Sequence, residues 1–237
     1  MNKRFDFDKE KQKGFDCIVG TDEAGRGPGA GPVFASAVYF TSYDERLEKL
    51  NDSKQLSEKV REELFDVIKE NSIWAIYQGS VEEIERLNIL RTSLLSMSRA
   101  CSEVISKLGE RKCLVLVDGN KLIPDFEYKQ EFVIKGDAKS AAIAAASVLA
   151  KVARDRFMRE LDEEFPQYCW AENKGYMTKS HLDAVDKYGL CKWHRRKFFE
   201  KHFEKAKQMQ LFCVEWWFSI MLFYYYLNNN LNNSFTL

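Results

Sequence analysis

The sequence has few of the residues from which zinc sites and disulfide frameworks are built. It contains three histidines and six cysteines in 237 residues, and no two cysteines are spaced as CxxC. The cysteines and histidines also do not fall at the intervals typical of a zinc site. This pattern excludes a zinc-ribbon type of module. We therefore expect free thiols and a reducing, cytoplasmic setting.

The chain also lacks a net charge, because 36 Lys and Arg residues balance 36 Asp and Glu residues. This balance is neutral evidence on a nucleic-acid partner, which depends on where the basic residues cluster. The first residues are charged and lack the apolar segment of a secretory signal. We expect a charged N-terminal extension over residues 1–14.

One long apolar stretch, residues 211–227, stands near the C-terminus and is followed by an Asn-rich segment. Its length is at the lower limit of about 17 residues for a membrane span, and the interior Glu215 counts against one. Three interpretations stay open: a membrane anchor, a helix packed on the domain, or an extension without function. We assign no role to this apolar, Asn-rich tail (residues 206–237) and expect no membrane association.

Hydrophobic patterns between these two ends predict an α/β domain over residues 15–205. Strands are predicted at residues 15–20, 33–40, 72–80, 113–119 and 131–137. Helices are predicted at residues 57–70, at 81–108 with a break near Asn88, at 140–163 and at 178–188. This order indicates a mixed five-stranded sheet flanked by helices, with a C-terminal helical segment.

Four acidic residues fall at the ends of these elements. Asp22 and Glu23 close the first strand, Asp118 closes the fourth, and Asp137 precedes the Ala-rich helix. Such ends line the crevice of α/β sheets where ligands bind. Clustered carboxylates repel one another unless divalent cations neutralise them, and oxygen ligands alone favour Mg²⁺ or Mn²⁺ over zinc. Two such ions about 3.5–4 Å apart would suit phosphodiester cleavage.

Each acid taken alone also has a purely structural interpretation. Asp137 could cap the following helix, Asp118 could belong to a turn, and Asp22 with Glu23 could be a solvated strand end. Adjacent strand residues point to opposite faces, so Asp22 and Glu23 cannot share an ion if the strand continues unchanged. The residues alone therefore predict a possible metal site and leave the reaction open.

Longer motifs resemble those of the ribonuclease HII family. The segment IVGTDEAGRGPGAGPVFASAV is similar to that family's first signature, and Arg26 favours it over the sister family, ribonuclease HIII. In matching order follow NDSKQLSEKVREEL, LNILRTSLLSM, LVDGN, KGDAKSAAIAAASVLAKVARDRFM and NKGYMTKSHLDAVDKYGLCKWHRRKF. The resemblance covers residues 15–203. It departs at Gly29, where the family usually has a bulky apolar residue.

The resemblance implies a ribonuclease H-like fold and a metal-dependent endonuclease, expected as a monomer. It would hydrolyse the RNA strand of RNA–DNA hybrids and nick 5′ to single ribonucleotides in duplex DNA, leaving a 3′-hydroxyl and a 5′-phosphate. Asp22, Glu23, Asp118 and Asp137 would be the catalytic ligands of two Mg²⁺ or Mn²⁺ ions. Gly25, Arg26 and Gly27 would recognise the 2′-hydroxyl, and Tyr176 would stack at the RNA–DNA junction.

Several basic residues are candidates for phosphate contacts: Lys54, Lys174, Lys192, Arg195, Arg196 and Lys197. Lys54 and Lys174 lie inside a matched motif, although any of these side chains could simply be solvated. Three alternatives to this hypothesis remain: a nuclease of the same fold that cuts DNA, an inactive hybrid-binding module and a membrane-tethered form with the same chemistry. The inactive module is disfavoured, since a binder gains nothing from four acids that face phosphates.

Overall fold

The computed structural model describes residues 2–205, 207, 208, 217, 220 and 221, in two compact units that divide after Arg195. The strands of the first unit are β1 (Cys17–Ala24), β2 (Val33–Phe40), β3 (Ser72–Gly79), β4 (Cys113–Asp118) and β5 (Lys129–Val133). Its helices are α1 (Lys3–Lys11), α2 (Glu58–Glu70), α3 (Val81–Leu87), α4 (Ile89–Leu108), α5 (Ala141–Glu164), α6 (Trp170–Asn173) and α7 (Lys179–Tyr188). In the second unit, residues 196–205, 207 and 208 are helical, as expected of a C-terminal helical segment.

The five strands form one mixed sheet in the order β3-β2-β1-β4-β5. The β1–β2 and β2–β3 pairs are antiparallel, whereas β1–β4 and β4–β5 are parallel. Since β1 and β4 are parallel neighbours, their carboxyl ends lie at the same edge of the sheet. This topology confirms the predicted fold class and brings the strand that carries Asp22 beside the one that ends at Asp118.

Helices cover both faces of the sheet. Helix α4 packs on one face, and α5 packs with α2 on the other. Helix α5 approaches β1 so closely that a Cβ atom on Gly20 would lie 2.2 Å from the carbonyl carbon of Ala142. Only glycine fits this contact, so Gly20 fixes how near α5 lies to the strand carrying Asp22 and Glu23.

Most of the predicted boundaries are confirmed within one or two residues. Ser57 caps α2 by accepting from the Val60 N–H, and the break at Asn88 separates α3 from α4 at a φ of 70°. The predicted ends of two strands are wrong. Strand β1 continues through Ala24, because its last residues pair with β2. Strand β5 ends at Val133, because Lys135 adopts a left-handed conformation at φ 55°.

The expectation of free thiols is wrong for one pair of cysteines. Cys17 and Cys113 face each other in the parallel register of β1 and β4, with Cα atoms 4.8 Å apart, and form a disulfide. Direct opposition on adjacent strands supplies the short Cα separation that a disulfide needs. Cys101, Cys169 and Cys191 are free, and Cys213 lies outside the described residues.

The two ends of the chain differ in what the structure describes. Within residues 1–14, expected as a charged extension, α1 forms and Asp8 accepts a hydrogen bond from the Ala142 N–H at 2.8 Å. Apart from residues 217, 220 and 221, the stretch at 211–227 lies outside the described residues, and its three interpretations stay open. None of the helices in the described ranges combines the length and the apolar character needed to cross a membrane.

Candidate active site

Asp22 and Asp118 lie side by side at the carboxyl edge of the sheet, on the face that α5 covers. Gly20 of β1 and Leu116 of β4 both pack against α5. Asp22 and Asp118 each follow one of these residues by two positions, and residues two apart on a strand point to the same face. Strand alternation assigns Glu23 to the other face, because β1 does not bend before Ala24. Glu23 and Asp118 nevertheless interact electrostatically at this edge.

Burial and mutual repulsion raise the pKa of the first two acids. Burial raises the pKa of Asp22 well above its usual value, and the charges of Glu23 and Asp118 raise it further. Burial also raises the pKa of Glu23; Arg26 opposes this through an Nη1–Oε1 contact of 3.1 Å, while Asp118 adds to it. These carboxylates repel one another, and a bound divalent cation would relieve that repulsion.

Asp137 joins this group from a 3-10 turn (Gly136–Ala138) rather than from a helix or strand. Burial raises its pKa, Asp118 and Asp52 raise it further, and Lys54 opposes the shift. The Gly136 N–H donates to Asp118 Oδ1 at 2.7 Å, which fixes the turn against the end of β4. Asp118 therefore interacts with each of the other three predicted ligands.

The four acids are by their chemistry suitable ligands for divalent cations. As the side chains stand, no three His, Cys, Asp or Glu side chains in the described part of the chain are grouped closely enough to hold an ion. The carboxylates nevertheless offer only oxygen ligands, and the repulsion that raises the pKa of three of them is what a bound cation relieves. The residues present suit Mg²⁺ or Mn²⁺.

Sequence reasoning missed Ser147 beside Asp22 and Ser53 beside Ser147. The Ser147 hydroxyl of α5 hydrogen-bonds to Asp22 and lowers its pKa against the effects of burial and charge. Ser147 Oγ is also 2.8 Å from Ser53 Oγ, so the loop before α2 is linked to the acid through both hydroxyls. The small-residue composition of α5 gave no signal for this role, because serine and alanine both suit close packing.

The glycine loop (residues 25–31) meets Tyr176 next to the acids. A Cβ atom on Gly27 would lie 3.3 Å from Tyr176 Cε1, and the tyrosine side chain is 49% exposed. Gly25 has a φ of 102°, and a Cβ there would lie 2.2 Å from Arg154 Nε. The structure thus brings together the predicted substrate-binding residues Gly25, Gly27 and Tyr176, and the ion pair between Arg26 and Glu23 connects them to the acids.

Arg195 organises this loop from inside, so its predicted role as a phosphate contact is wrong. Its side chain is fully buried, which keeps the guanidinium away from any phosphate. The guanidinium donates to carbonyl oxygens of Gly25 at 2.7 Å, Arg26 at 3.3 Å, Pro28 at 2.7 Å and Gly31 at 2.9 Å. At Gly29, the residue that departs from the family pattern, the backbone N–H donates to Gly175 and the carbonyl accepts from Arg195 N.

A second buried arginine, Arg154 of α5, donates to the carbonyl oxygens of Ala30 at 3.2 Å and Pro32 at 3.3 Å. Sequence reasoning missed it, although a signal existed. Arg154 is four residues from both Ala150 and Met158, on a buried stripe of the helix. An arginine on an apolar stripe needs buried carbonyl or carboxylate partners.

The other predicted phosphate contacts lie in different surroundings. Lys54 is exposed, and its charge lowers the pKa of Asp137. Lys174 has a left-handed backbone at φ 50°, and its ammonium donates to the Ala171 carbonyl within the same turn. Lys192 is paired with Glu164 at 3.5 Å, while Arg196 and Lys197 are exposed in the second unit.

Comparison with known proteins identifies relatives of this chain. Residues 19–206 match the family model described as ribonuclease HII. The chain is 47% identical over 192 residues to ribonuclease HII of Fusobacterium nucleatum, covering 81% of this chain and 89% of that protein. It is 52% identical over 183 residues to ribonuclease HII of Pelagibacter ubique, covering 76% of this chain and 95% of that protein.

Solved structures show the same fold. Ribonuclease HII in the PCNA complex from Archaeoglobus fulgidus superposes with a TM-score of 0.61 at 26% identity, over 76% of this chain and 93% of that one. Ribonuclease H2 from Pyrococcus horikoshii gives 0.60 at 24% identity, over 80% and 99%. Bst-RNase HIII, solved in complex with Mn²⁺, gives 0.57 at 17% identity, over 73% and 63%.

The match to the family model spans most of the chain, and the curated relatives are matched over nearly their whole length. The acids at the sheet edge and the glycine loop lie inside the matched region. The chain belongs to the ribonuclease HII family and is a nuclease of ribonuclease H type with a ribonuclease H-like fold.

Proposed function

We propose that this enzyme cleaves the RNA strand of RNA–DNA hybrids and nicks duplex DNA 5′ to single embedded ribonucleotides, leaving a 3′-hydroxyl and a 5′-phosphate. The observation that carries the proposal is the contact between Tyr176 and Gly27, beside an arginine paired with Glu23. A ring that can stack on a sugar or base and a loop that can approach a 2′-hydroxyl thus lie next to the acids.

The glycine loop supplies the recognition chemistry in this proposal. A 2′-hydroxyl both donates and accepts hydrogen bonds, and it distinguishes RNA from DNA at a given nucleotide. Glycines at positions 25 and 27 let the main chain approach the sugar without a side chain in between. Arg195 fixes the loop carbonyls inward, so the peptide planes keep one orientation toward the substrate.

The acids supply the reactive centre. Asp22, Glu23, Asp118 and Asp137 would hold Mg²⁺ or Mn²⁺, which when bound as a pair activates the attacking water and stabilises the leaving 3′-oxygen. The Ser147 hydroxyl orients Asp22, and the Gly136 N–H orients Asp118. Exposed Lys54, whose charge acts on Asp137, would contact a phosphate; Lys174 would shape the turn that carries Tyr176 and contact the backbone at its rim.

We also propose that residues 15–205 form the catalytic domain, that the enzyme works as a monomer, and that it acts in the cytoplasm. All four acids and the glycine loop belong to the first unit of one chain. This supports a monomeric enzyme. The disulfide withdraws the support that cysteine usage gave to a reducing compartment. The cytoplasmic proposal therefore rests only on the location of the proposed substrate, ribonucleotide-containing DNA.

The test compares three labelled duplexes with the full chain: DNA with one ribonucleotide, an RNA–DNA hybrid and all-DNA. We expect Mg²⁺- or Mn²⁺-dependent cleavage of the first two, with a 3′-hydroxyl end, and no cleavage of all-DNA. Asp118→Asn should abolish cleavage, because it removes the carboxylate that interacts with the other three acids. Cleavage of all-DNA would favour the rival DNA nuclease, and binding without cleavage would favour the inactive module.

A further inference from the structure

Two buried histidines lie beneath the turn that carries Tyr176. His181 of α7 is fully buried, His194 is 2% exposed, and their Nε2 atoms are 3.1 Å apart. Aromatic rings enclose them: the Tyr168 ring centroid is 4.6 Å from that of His194, and the Trp170 ring is 5.3 Å from it. Two imidazoles in direct contact can both stay neutral only in particular tautomers.

The hydrogen-bond partners fix both tautomers. The Cys191 backbone N–H can only donate, and it lies 3.0 Å from His194 Nδ1, so that nitrogen accepts. The proton of neutral His194 is therefore on Nε2 and is donated to His181 Nε2. The Trp170 indole N–H, also a donor only, points at the same His181 Nε2 at 3.2 Å. His181 consequently carries its proton on Nδ1.

The chain of donors ends on the backbone of Tyr176. His181 Nδ1 is 2.9 Å from the Tyr176 carbonyl oxygen, and the assigned tautomer makes this nitrogen the donor. The same carbonyl accepts from the Thr178 N–H at 2.8 Å, and the Tyr176 N–H donates to the Asn173 carbonyl at 2.9 Å. Each hydrogen bond from Cys191 through both histidines to Tyr176 thus has one consistent direction.

This arrangement joins the tyrosine turn to the segment that holds the glycine loop. His194 forms a β-bridge with Ala30 and directly precedes Arg195, the residue that donates to the loop carbonyls. The Gly175 carbonyl accepts from the N–H groups of Gly29 and Ala30. The histidine pair is therefore a side-chain link between the two parts of the proposed ribonucleotide site.

We propose that His181 and His194 are positioning residues, and that their neutral, single-tautomer pair sets the backbone of Tyr176 and so places its ring beside Gly27. The inference rests on the proposed function, since it concerns how the tyrosine meets a ribonucleotide. A proton added to His194 Nδ1 would face the Cys191 N–H, and one added to His181 Nε2 would face the Trp170 N–H. Either would break the directed chain.

The surroundings of the pair favour the neutral form. Burial lowers the pKa of His181, and burial together with the neighbouring His181 lowers that of His194 to about 4. Tyr168 and Cys191 are the titratable side chains that these contacts bring next to the pair, and burial raises the pKa of both. At neutral pH neither therefore supplies the negative charge that an imidazolium would need.

A double-mutant cycle on the full chain tests the role. His181→Phe keeps an aromatic ring and removes both nitrogens, and Tyr176→Ala removes the ring that the pair is proposed to place. Each should lower kcat/KM on the single-ribonucleotide duplex by on the order of 10- to 100-fold. Their combination should be no worse than Tyr176→Ala alone, because one acts through the other. His181→Asn, whose amide nitrogen can replace Nδ1 as donor, should recover part of the loss.

Additive losses in the cycle would overturn the inference, as would full activity in His181→Phe. Tyr188→Ala, at an exposed tyrosine of α7, is the matched control and should combine additively with His181→Phe. Thermal unfolding of each variant separates a loss of positioning from a loss of fold.

A second measurement does not depend on activity. Nitrogen-15 spectra of the histidine side chains at pH 7.5 should show His181 protonated at Nδ1 and His194 at Nε2. The opposite tautomers, or averaging between them, would overturn the inference even if the variants lose activity. A wild-type chain that leaves the ribonucleotide-containing duplex intact would instead overturn the proposed function, and with it the role of the pair.

Discussion

The guanidinium of Arg195 lies behind the glycine loop and donates through Nη2 to the carbonyl oxygen of Gly25 at 2.7 Å. The same group donates to three further carbonyls of the loop and is fully buried. A buried charge held by carbonyl oxygens is costly to form, so these partners are fixed once it is in place. Arg195 thereby turns a run rich in glycine into a loop of defined conformation.

Arg195→Lys should therefore lower both stability and cleavage. Lysine keeps the charge but has a single donor nitrogen, which cannot reach four carbonyls arranged for a planar fork. We expect the free energy of unfolding to fall by roughly 2–5 kcal/mol in denaturant titrations, with a parallel loss of ribonucleotide-dependent nicking. Arg196→Lys, the same change at the adjacent exposed arginine, should stay close to wild type. Equal behaviour of the two variants would contradict the role given to Arg195.

Gly25→Ala should be damaging for two separable reasons. The φ of 102° disfavours any side chain, and the new Cβ would lie 2.2 Å from Arg154 Nε, inside a buried hydrogen-bonded group. Gly14→Ala is the matched control, since Gly14 has a φ of 86° but a Cβ added there would meet nothing within 4 Å. The control should lose about 1 kcal/mol of unfolding free energy from backbone strain alone. A Gly25→Ala variant as stable as the control would show that Arg154 moves away freely.

These loop contacts mark the boundary of what sequence reasoning could reach. Hydrophobic period and capping residues predicted the sheet, α2 with its Ser57 cap, and the break at Asn88, because those signals are local in the chain. Arg195 and the loop carbonyls are 164 to 170 positions apart in the chain. A contact of that kind has no local signal, and an arginine among other basic residues at the start of a helix is more often solvated.

The acidic site likewise combines features that have a local sequence signal with features that have none. Asp22, Glu23 and Asp118 follow from strand ends, and the parallel β1–β4 pairing then brings two of them together. The disulfide and the Ser147 contact depend instead on the register between strands and on the distance of α5 from the sheet. The strand register and the distance between α5 and the sheet are set by packing in the folded core. The residue pattern along the chain therefore could not predict them.

Ser147→Ala should weaken metal binding without changing the fold. The hydroxyl lowers the pKa of Asp22, so its loss leaves that carboxylate less oriented and more reluctant to ionise. Contacts of this kind to a metal ligand typically contribute on the order of 10-fold or more to metal affinity. We expect the Mg²⁺ concentration for half-maximal cleavage to rise accordingly and kcat at saturating metal to change less. Ser53→Ala, which removes the hydroxyl next to Ser147, is the control and should have the smaller effect.

The Cys17–Cys113 disulfide should contribute to stability because it joins residues 96 positions apart. Bonds of this kind typically stabilise the folded state by about 2–4 kcal/mol. Peptide mapping without reductant should recover the two cysteines in one linked fragment, and reductant should lower the denaturation midpoint. In the Cys17→Ala/Cys113→Ala variant, reductant should no longer change the midpoint. Two unlinked fragments from freshly purified protein would contradict the bond.

Asp8 of α1 should make stability depend on pH in the direction opposite to a typical carboxylate. It is 9% exposed, and burial raises its pKa from 3.8 to about 6, against hydrogen bonds from Ser140 and from the start of α5. The folded state therefore holds a proton that the unfolded chain has already released between these two values. Stability from Asp8 is thus greatest below about pH 4 and is lost as the pH rises through 6.

The difference between wild type and Asp8→Asn isolates this effect, because the other titrating groups are common to both proteins. Relative to the variant, wild type should lose roughly 2–3 kcal/mol of unfolding free energy between pH 4 and pH 7, as an upper limit. Denaturant titrations at several pH values give the difference directly. Asp6→Asn, at an exposed position of the same helix, serves as the matched control. If the difference between wild type and Asp8→Asn stays constant with pH, α1 does not bury this carboxylate against α5.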